Sequence, residues 1–159
     1  MLLLESEQPI DFEVQQHGFT LTDLMIALAI AGLLTAIAIP SYRESVRKSK
    51  RAEGRAALMQ AMQQEERFYS GHNSYIRFHS SSTDEEERKF KWFSGNSAKS
   101  SAYEIKAESC QDESIESCVQ LTAMPGTYNV DLKFRDLECG DLILTSTGVK
   151  TASSTDCWN

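Results

Sequence analysis

From Leu24 to Ile39 the only polar side chain is Thr35. A helix from Phe19 to Ile39 would be about 31 Å long at about 1.5 Å per residue, close to the hydrocarbon thickness of a bilayer. Pro40 ends the apolar run. It has no N–H and disfavours helical geometry at Ile39, which predicts a kink or local unwinding there. Beyond it, Ser41 to Tyr69 is dominated by Ala, Glu, Gln, Arg and Met, so the helix is expected to resume. Tyr42, Val46, Ala52, Ala56, Met59, Met62 and Phe68 trace a loose apolar stripe suited to packing on a sheet and against neighbouring copies. Gly54 weakens this half of the helix modestly, and Gly71 is the expected C-cap within Ser70–Asn73.

The pattern then changes from a helical period to alternation. Tyr103–Ala107 and Cys118–Ala123 read as strands, with the acidic stretch Gln111–Ser117 as the loop between them. Met124-Pro125-Gly126 is expected to stop the second. Tyr128–Phe134 alternates less cleanly, as a strand or an extended loop. Leu142–Thr145 is a strand, Ser146–Gly148 a turn, and Val149–Ala152 an edge strand blunted by Lys150. Residues 72–102 carry the weakest pattern. Within them, Asp84–Lys89 predicts a short helix with its acids at the N-terminal end, and Phe90, Trp92 and Phe93 give it something to bury. The fold class is α+β: a long N-terminal helix on a small antiparallel sheet of about four strands. The expected organisation is residues 1–18, the apolar helix 19–40, its polar continuation 41–71, and a globular region 72–159.

Charge and cysteine content narrow the function. The 159 residues carry a net charge of −7. Four acids, Glu5, Glu7, Asp11 and Glu13, lie in the first 18 residues with no Lys or Arg, which leaves −3 on the remainder. That balance provides no general attraction to nucleic acid. The four cysteines, Cys110, Cys118, Cys139 and Cys157, all lie in the last third. An even count beyond a membrane segment implies two disulfides in an oxidising compartment. Three pairings are possible, and Cys110–Cys118 with Cys139–Cys157 closes short local loops. Arg43, Arg47, Lys48, Lys50, Arg51 and Arg55 follow the apolar run, and charge bias alone would hold that side in the cytoplasm. Disulfide formation is the more specific constraint and places it outside.

No catalytic constellation, cofactor motif or metal-ligand spacing is present. His72 and His79 read as ordinary surface histidines, and Asp84–Glu87 as a solvated face rather than a calcium site. The chain is therefore expected not to be an enzyme. Asp23 is the exception within the apolar helix: a carboxylate at its edge is costly unless paired. Were the chain to begin at Phe19, the new amino group would lie one turn away, on the same chain or a neighbour. Small residues, including Gly32, allow close packing of such helices.

The run Gly18-Phe19-Thr20-Leu21-Thr22-Asp23 and the Ala-rich segment after it resemble the processing site and N-terminal helix of type IV pilins. The resemblance implies cleavage after Gly18 by a prepilin peptidase and methylation of Phe19. Asp23 falls where the family usually has Glu, and Pro40 where many members carry a helix-bending proline. Residues 1–18 make a poor secretory signal, since Leu2–Leu4 is too short an apolar core and a basic flank is missing. The stretch Cys139-Gly140-Asp141-Leu142 through Ala152, with Asp156-Cys157-Trp158, looks like the ending of PilE-like minor pilins, an ending that DNA-uptake pilins share. In that family Cys139–Cys157 would enclose the D-region.

The resemblance implies a minor subunit of a type IV pilus, assembled through its helix and supporting biogenesis, adhesion or motility. Assembly would rest on Asp23, Gly32 and Pro40. Partners would be other pilin subunits, the prepilin peptidase and methyltransferase, and inner-membrane assembly machinery. The precursor would sit in the inner membrane with its globular domain in the periplasm, and later in the surface pilus. The alternatives are a DNA-binding pilin for transformation, using Lys89, Lys91, Lys99, Lys106, Lys133 and Lys150, and a type II secretion pseudopilin. DNA is the less favoured partner on charge.

Overall fold

The structure, a computed structural model, describes residues 18–158. The leader expected over residues 1–18 thus lies, but for Gly18, outside the described residues. The chain forms two compact units divided between Ser41 and Tyr42. Helix α1, Leu21–His72, contributes to both.

In the first unit the large apolar side chains of α1 are exposed, Leu33 and Ile37 each at 70%. None of its most apolar stretch is buried, and the helix is long and apolar enough to cross a membrane. Thr35 inside this stretch donates its hydroxyl proton to the Gly32 carbonyl at 2.9 Å, so its polar atom is satisfied within the helix. The local unwinding expected at Pro40 is absent, because α1 stays helical through it. Proline removes only one backbone donor, and the residues flanking Pro40 favour helix on both sides.

The second unit packs the later part of α1 against an antiparallel sheet. Its strands are β1 (Tyr103–Ser109), β2 (Val119–Pro125), β3 (Leu142–Thr145) and β4 (Lys150–Thr151), in the order β1-β2-β3-β4. Register runs from Tyr103 opposite Pro125 to Ser109 opposite Val119, then Ala123 opposite Leu142, then Leu144 opposite Lys150. Alternate residues therefore share a face. Ile105, Leu121, Leu142 and Leu144 from that face meet Leu58 of α1 in one core.

The buried face of α1 is not the stripe read from the sequence. Arg51, Gly54, Ala57, Leu58, Ala61 and Glu65 are buried, whereas Tyr42 is 72% and Met59 43% exposed. Of the predicted set, Met62 and Phe68 pack against the core, each only partly buried. The true face carries a charge near each end and a glycine between, so apolarity does not mark it. Gly54 is there for space: a Cβ would lie 2.8 Å from Cδ2 of Tyr103. Gly71 is helical, and the left-handed cap falls on Asn73 (φ 53°), whose N–H reaches the Tyr69 carbonyl at 2.8 Å.

Residues 73–102 form no regular strand but complete the open edge of β1. Ala107 N–H bonds the Phe78 carbonyl at 2.9 Å, and Ile105 N–H bonds the Trp92 carbonyl at 2.7 Å. The edge is thus covered rather than left as a template for another chain. The acidic stretch yields only a 3-10 turn at Glu87–Lys89, with Asp84 Oδ1 accepting the Glu86 N–H at 2.8 Å. Pro125 is inside β2, and the turn comes at Gly126, where φ is +62° and a Cβ would lie 2.1 Å from the Phe134 carbonyl oxygen. Tyr128–Phe134 is a run of turns pinned by the Asp131 N–H to the Ser101 carbonyl at 2.9 Å.

Candidate functional site

At the start of α1, Thr20 and Asp23 cap one another. The Thr20 N–H and hydroxyl donate to Asp23 Oδ2 at 3.0 and 2.7 Å, and the Asp23 N–H donates to Thr20 Oγ1 at 3.2 Å. This reciprocal pairing is a capping box with Asp in the place of Glu. Within the single chain Asp23 is therefore satisfied by its own helix end. Phe19 is 95% exposed. A Cβ at Gly18 or Gly32 would meet nothing within 4 Å.

The cysteines pair as Cys110–Cys118, with Cα atoms 5.4 Å apart, and Cys139–Cys157, at 5.7 Å. The first clips the loop between β1 and β2. The second ties the segment before β3 to the 3-10 turn Thr155–Trp158. That segment is also held to α1 by a cluster no local pattern reveals. Arg51 donates from Nε and Nη2 to both oxygens of Asp136, each at 2.8 Å, and from Nη2 to Glu138 at 2.7 Å. The Tyr103 hydroxyl donates to Asp136 Oδ2 at 2.6 Å. Burial alone would raise the Asp136 carboxyl, but the Arg51 and Tyr103 hydrogen bonds outweigh it and hold it below the usual range. Burial raises the Tyr103 phenol, and its bond to the Asp136 carboxylate adds to this. Asp136, Glu138 and Cys139 lie close enough together to resemble a metal site. Arg51 already occupies the carboxylates and Cys139 is in a disulfide, so the group does not fit a cation.

Glu65 is a further buried carboxyl. It is 0% exposed. Its Oε2 accepts the Ile76 N–H at 3.1 Å, while Oε1 has no partner among the described residues. Burial pushes the carboxyl up to about 7, offset in part by the Ile76 bond and assisted by the neighbouring Glu66 charge.

The surface cations are not gathered as the sequence allowed. Lys89 pairs with Glu86 and Lys106 with Glu108. Lys91 lies 5.1 Å over the Phe93 ring and Lys150 5.6 Å over Trp158. Lys91 lines a cleft of about 310 Å³ between α1 and residues 91–93, and Lys150 lines a different one of about 570 Å³. The first cleft is floored by Ala57 and Ala61, which are small enough to leave the space. Gln60, Gln63, Gln64 and Arg67 come from α1, and Lys91 and Phe93 face them. No carboxylate lines it. The larger groove includes Glu66, a third of about 350 Å³ includes Glu138 and Asp156, and a fourth of about 240 Å³ includes Glu87. Three glutamines at 60, 63 and 64 share one helical face, a spacing visible in the sequence, but only the fold adds Lys91 and Phe93.

Residues 14–39 match the prokaryotic N-terminal methylation motif. Residues 40–143 match the family described as type IV minor pilin ComP, DNA uptake sequence receptor. Among curated relatives, the type IV major pilin protein PilA of Myxococcus xanthus is 37% identical over 67 residues, 42% of this chain and 30% of that one. The type IV major fimbrial protein FimA of Dichelobacter nodosus is 54% identical over 39 residues, 24% of each chain. The matched stretches thus span less than a third of these relatives. A solved type IV pilin from Shewanella oneidensis aligns at 24% identity and TM-score 0.46, over 71% of this chain and 98% of that one. The relatives include major as well as minor pilins, so likeness to the PilE-like minor pilins in particular does not stand out. The methylation motif, the later part of a long helix packed on a four-stranded antiparallel sheet and a family match over more than half of the sequence agree: the chain is a type IV pilin and belongs to the family described as type IV minor pilin ComP, DNA uptake sequence receptor.

Proposed function

We propose that this pilin is a minor subunit that binds DNA for uptake at the surface of a type IV pilus. The observation that carries this reading is the match of residues 40–143 to a family described as a DNA uptake sequence receptor. It reverses the expected order, in which the resemblance put a subunit serving biogenesis, adhesion or motility first and net charge disfavoured DNA. Net charge is a poor guide here, because a local cation-lined surface is enough to hold phosphates.

The path to that state follows from the helix. The prepilin peptidase cleaves after Gly18, and Phe19 is methylated. The apolar segment holds the precursor in the inner membrane with the disulfide-bonded domain in the periplasm. Assembly machinery then packs the helix with those of other pilin subunits. Asp23 leaves its cap on Thr20 to meet the Phe19 amino group of a neighbour. Gly32, whose face is open, allows close helix approach, and Pro40 marks the end of the bundled segment. Intact mass of the membrane-purified protein tests processing: loss of residues 1–18, one added methyl and four oxidised cysteines are expected, and an unprocessed full-length mass overturns it.

DNA binding is tested with the full processed chain in detergent micelles and a labelled pool of random short duplexes. Binding that weakens as salt rises and a selected pool enriched in one short sequence are expected. Absence of binding at low salt overturns the proposal.

A further inference from the structure

We infer that the cleft between α1 and residues 91–93 is a DNA-binding site, in which Arg67 and Lys91 take phosphates and Gln60 and Gln63 face base edges. The inference rests on the DNA-binding reading above and assigns it a location. Arg67 and Lys91 are exposed and make no ion pair with any described residue. They line a space of about 310 Å³ that no carboxylate enters. Three other clefts each place an acid beside their cations, so an anion entering them meets repulsion as well as attraction; Arg67 and Gln63 line both the first cleft and the groove that holds Glu66. Two cations without an ion-pair partner, in a cleft whose lining holds no carboxylate, are what a polyanion recognises.

The remaining lining argues for nucleic acid over a simple anion. Gln60 and Gln63 are exposed on successive turns of one helical face, with Arg67 following at the next turn. A glutamine amide offers a donor and an acceptor side by side, which matches the exposed edge of adenine. Gln64 is already committed, donating to the Lys89 carbonyl at 3.1 Å, and so braces the far wall. Phe93 holds Lys91 over its ring at 5.1 Å, which limits the positions that ammonium samples. Ala57 and Ala61 keep the floor shallow enough for a backbone to approach.

The test uses the full processed chain in micelles and the duplex enriched from the random pool, against a scrambled duplex. Arg67→Gln with Lys91→Gln should weaken binding to both duplexes alike and reduce the salt slope by about 2, close to 0.9 for each phosphate no longer neutralised. Gln60→Ala with Gln63→Ala should leave the salt slope unchanged and cut the preference for the enriched duplex by about 10-fold or more. Both pairs are at surface positions, and an unchanged unfolding midpoint confirms the fold. Lys133→Gln, outside the cleft, is the control. Wild-type binding with both variant pairs unaltered overturns the cleft while the DNA-binding function stands. No wild-type binding removes both.

Discussion

Replacing Glu65 with Gln isolates the energetic effect of one buried carboxyl. This side chain is fully buried, has one hydrogen bond and titrates near 7 in the folded chain against an ordinary 4.5. Below pH 4.5 it is neutral in both states, and native stability is unimpaired by it. Between 4.5 and 7 the unfolded chain gives up the proton first, so stability falls as pH rises; above 7 the loss is complete. The size of that loss is about 3 kcal/mol, at about 1.4 kcal/mol per pH unit across the window. The substituted amide keeps the acceptor for the Ile76 N–H but puts two unpaired N–H donors where the neutral acid has one O–H, a cost of about 1–2 kcal/mol that does not vary with pH. The two proteins should therefore cross: wild type more stable at pH 4.5, Glu65→Gln more stable at pH 8. The assay is thermal unfolding of the full chain in micelles, followed by near-ultraviolet circular dichroism across this range. At about 4 °C per kcal/mol, the difference in midpoints should swing by about 10 °C. Taking the difference cancels the remaining titrating groups. A difference in midpoint that does not change with pH would refute the argument that Glu65 is buried as the neutral acid.

Other substitutions probe the same domain. Arg51→Met leaves Asp136 buried with its main charge partner gone and should cost about 3–5 kcal/mol in urea unfolding. Asp136 contributes with the opposite pH sign to Glu65: its stabilisation is present above 3.8 and is lost as pH falls through its lowered folded value, a loss that Arg51→Met should blunt. Gly54→Ala places a methyl 2.8 Å from the Tyr103 ring and should destabilise by about 1–3 kcal/mol despite the better helix propensity. Gly71→Ala meets nothing within 4 Å and should stabilise by up to about 1 kcal/mol; equal effects at the two glycines in the same unfolding assay would contradict the close approach of Tyr103 to α1.

Much of the architecture was readable because it depends on local patterns. The apolar run predicts a membrane-length helix from length and composition alone. Alternation located β1 and β2 within one or two residues, since a strand with one covered face must alternate, and the short apolar run Leu142–Thr145 located β3. The motif from Gly18 to Asp23, with the Ala-rich run after it, pointed to the family by itself. The covered face of α1 was not readable. It depends on Tyr103 needing the space at Gly54, on Asp136 meeting Arg51 from 85 residues away, and on Ile76 reaching Glu65. Each of these makes a polar or small residue belong inside, against the rule by which a stripe is recognised. The cleft has the same origin. Its glutamines share a visible helical spacing, but Lys91 and Phe93 reach them only because residues 73–102 fold back along β1. Sequence determines what each segment favours by itself; which charges are buried, and which stay free to meet a partner, depends on groups that only the tertiary fold brings within hydrogen-bonding distance.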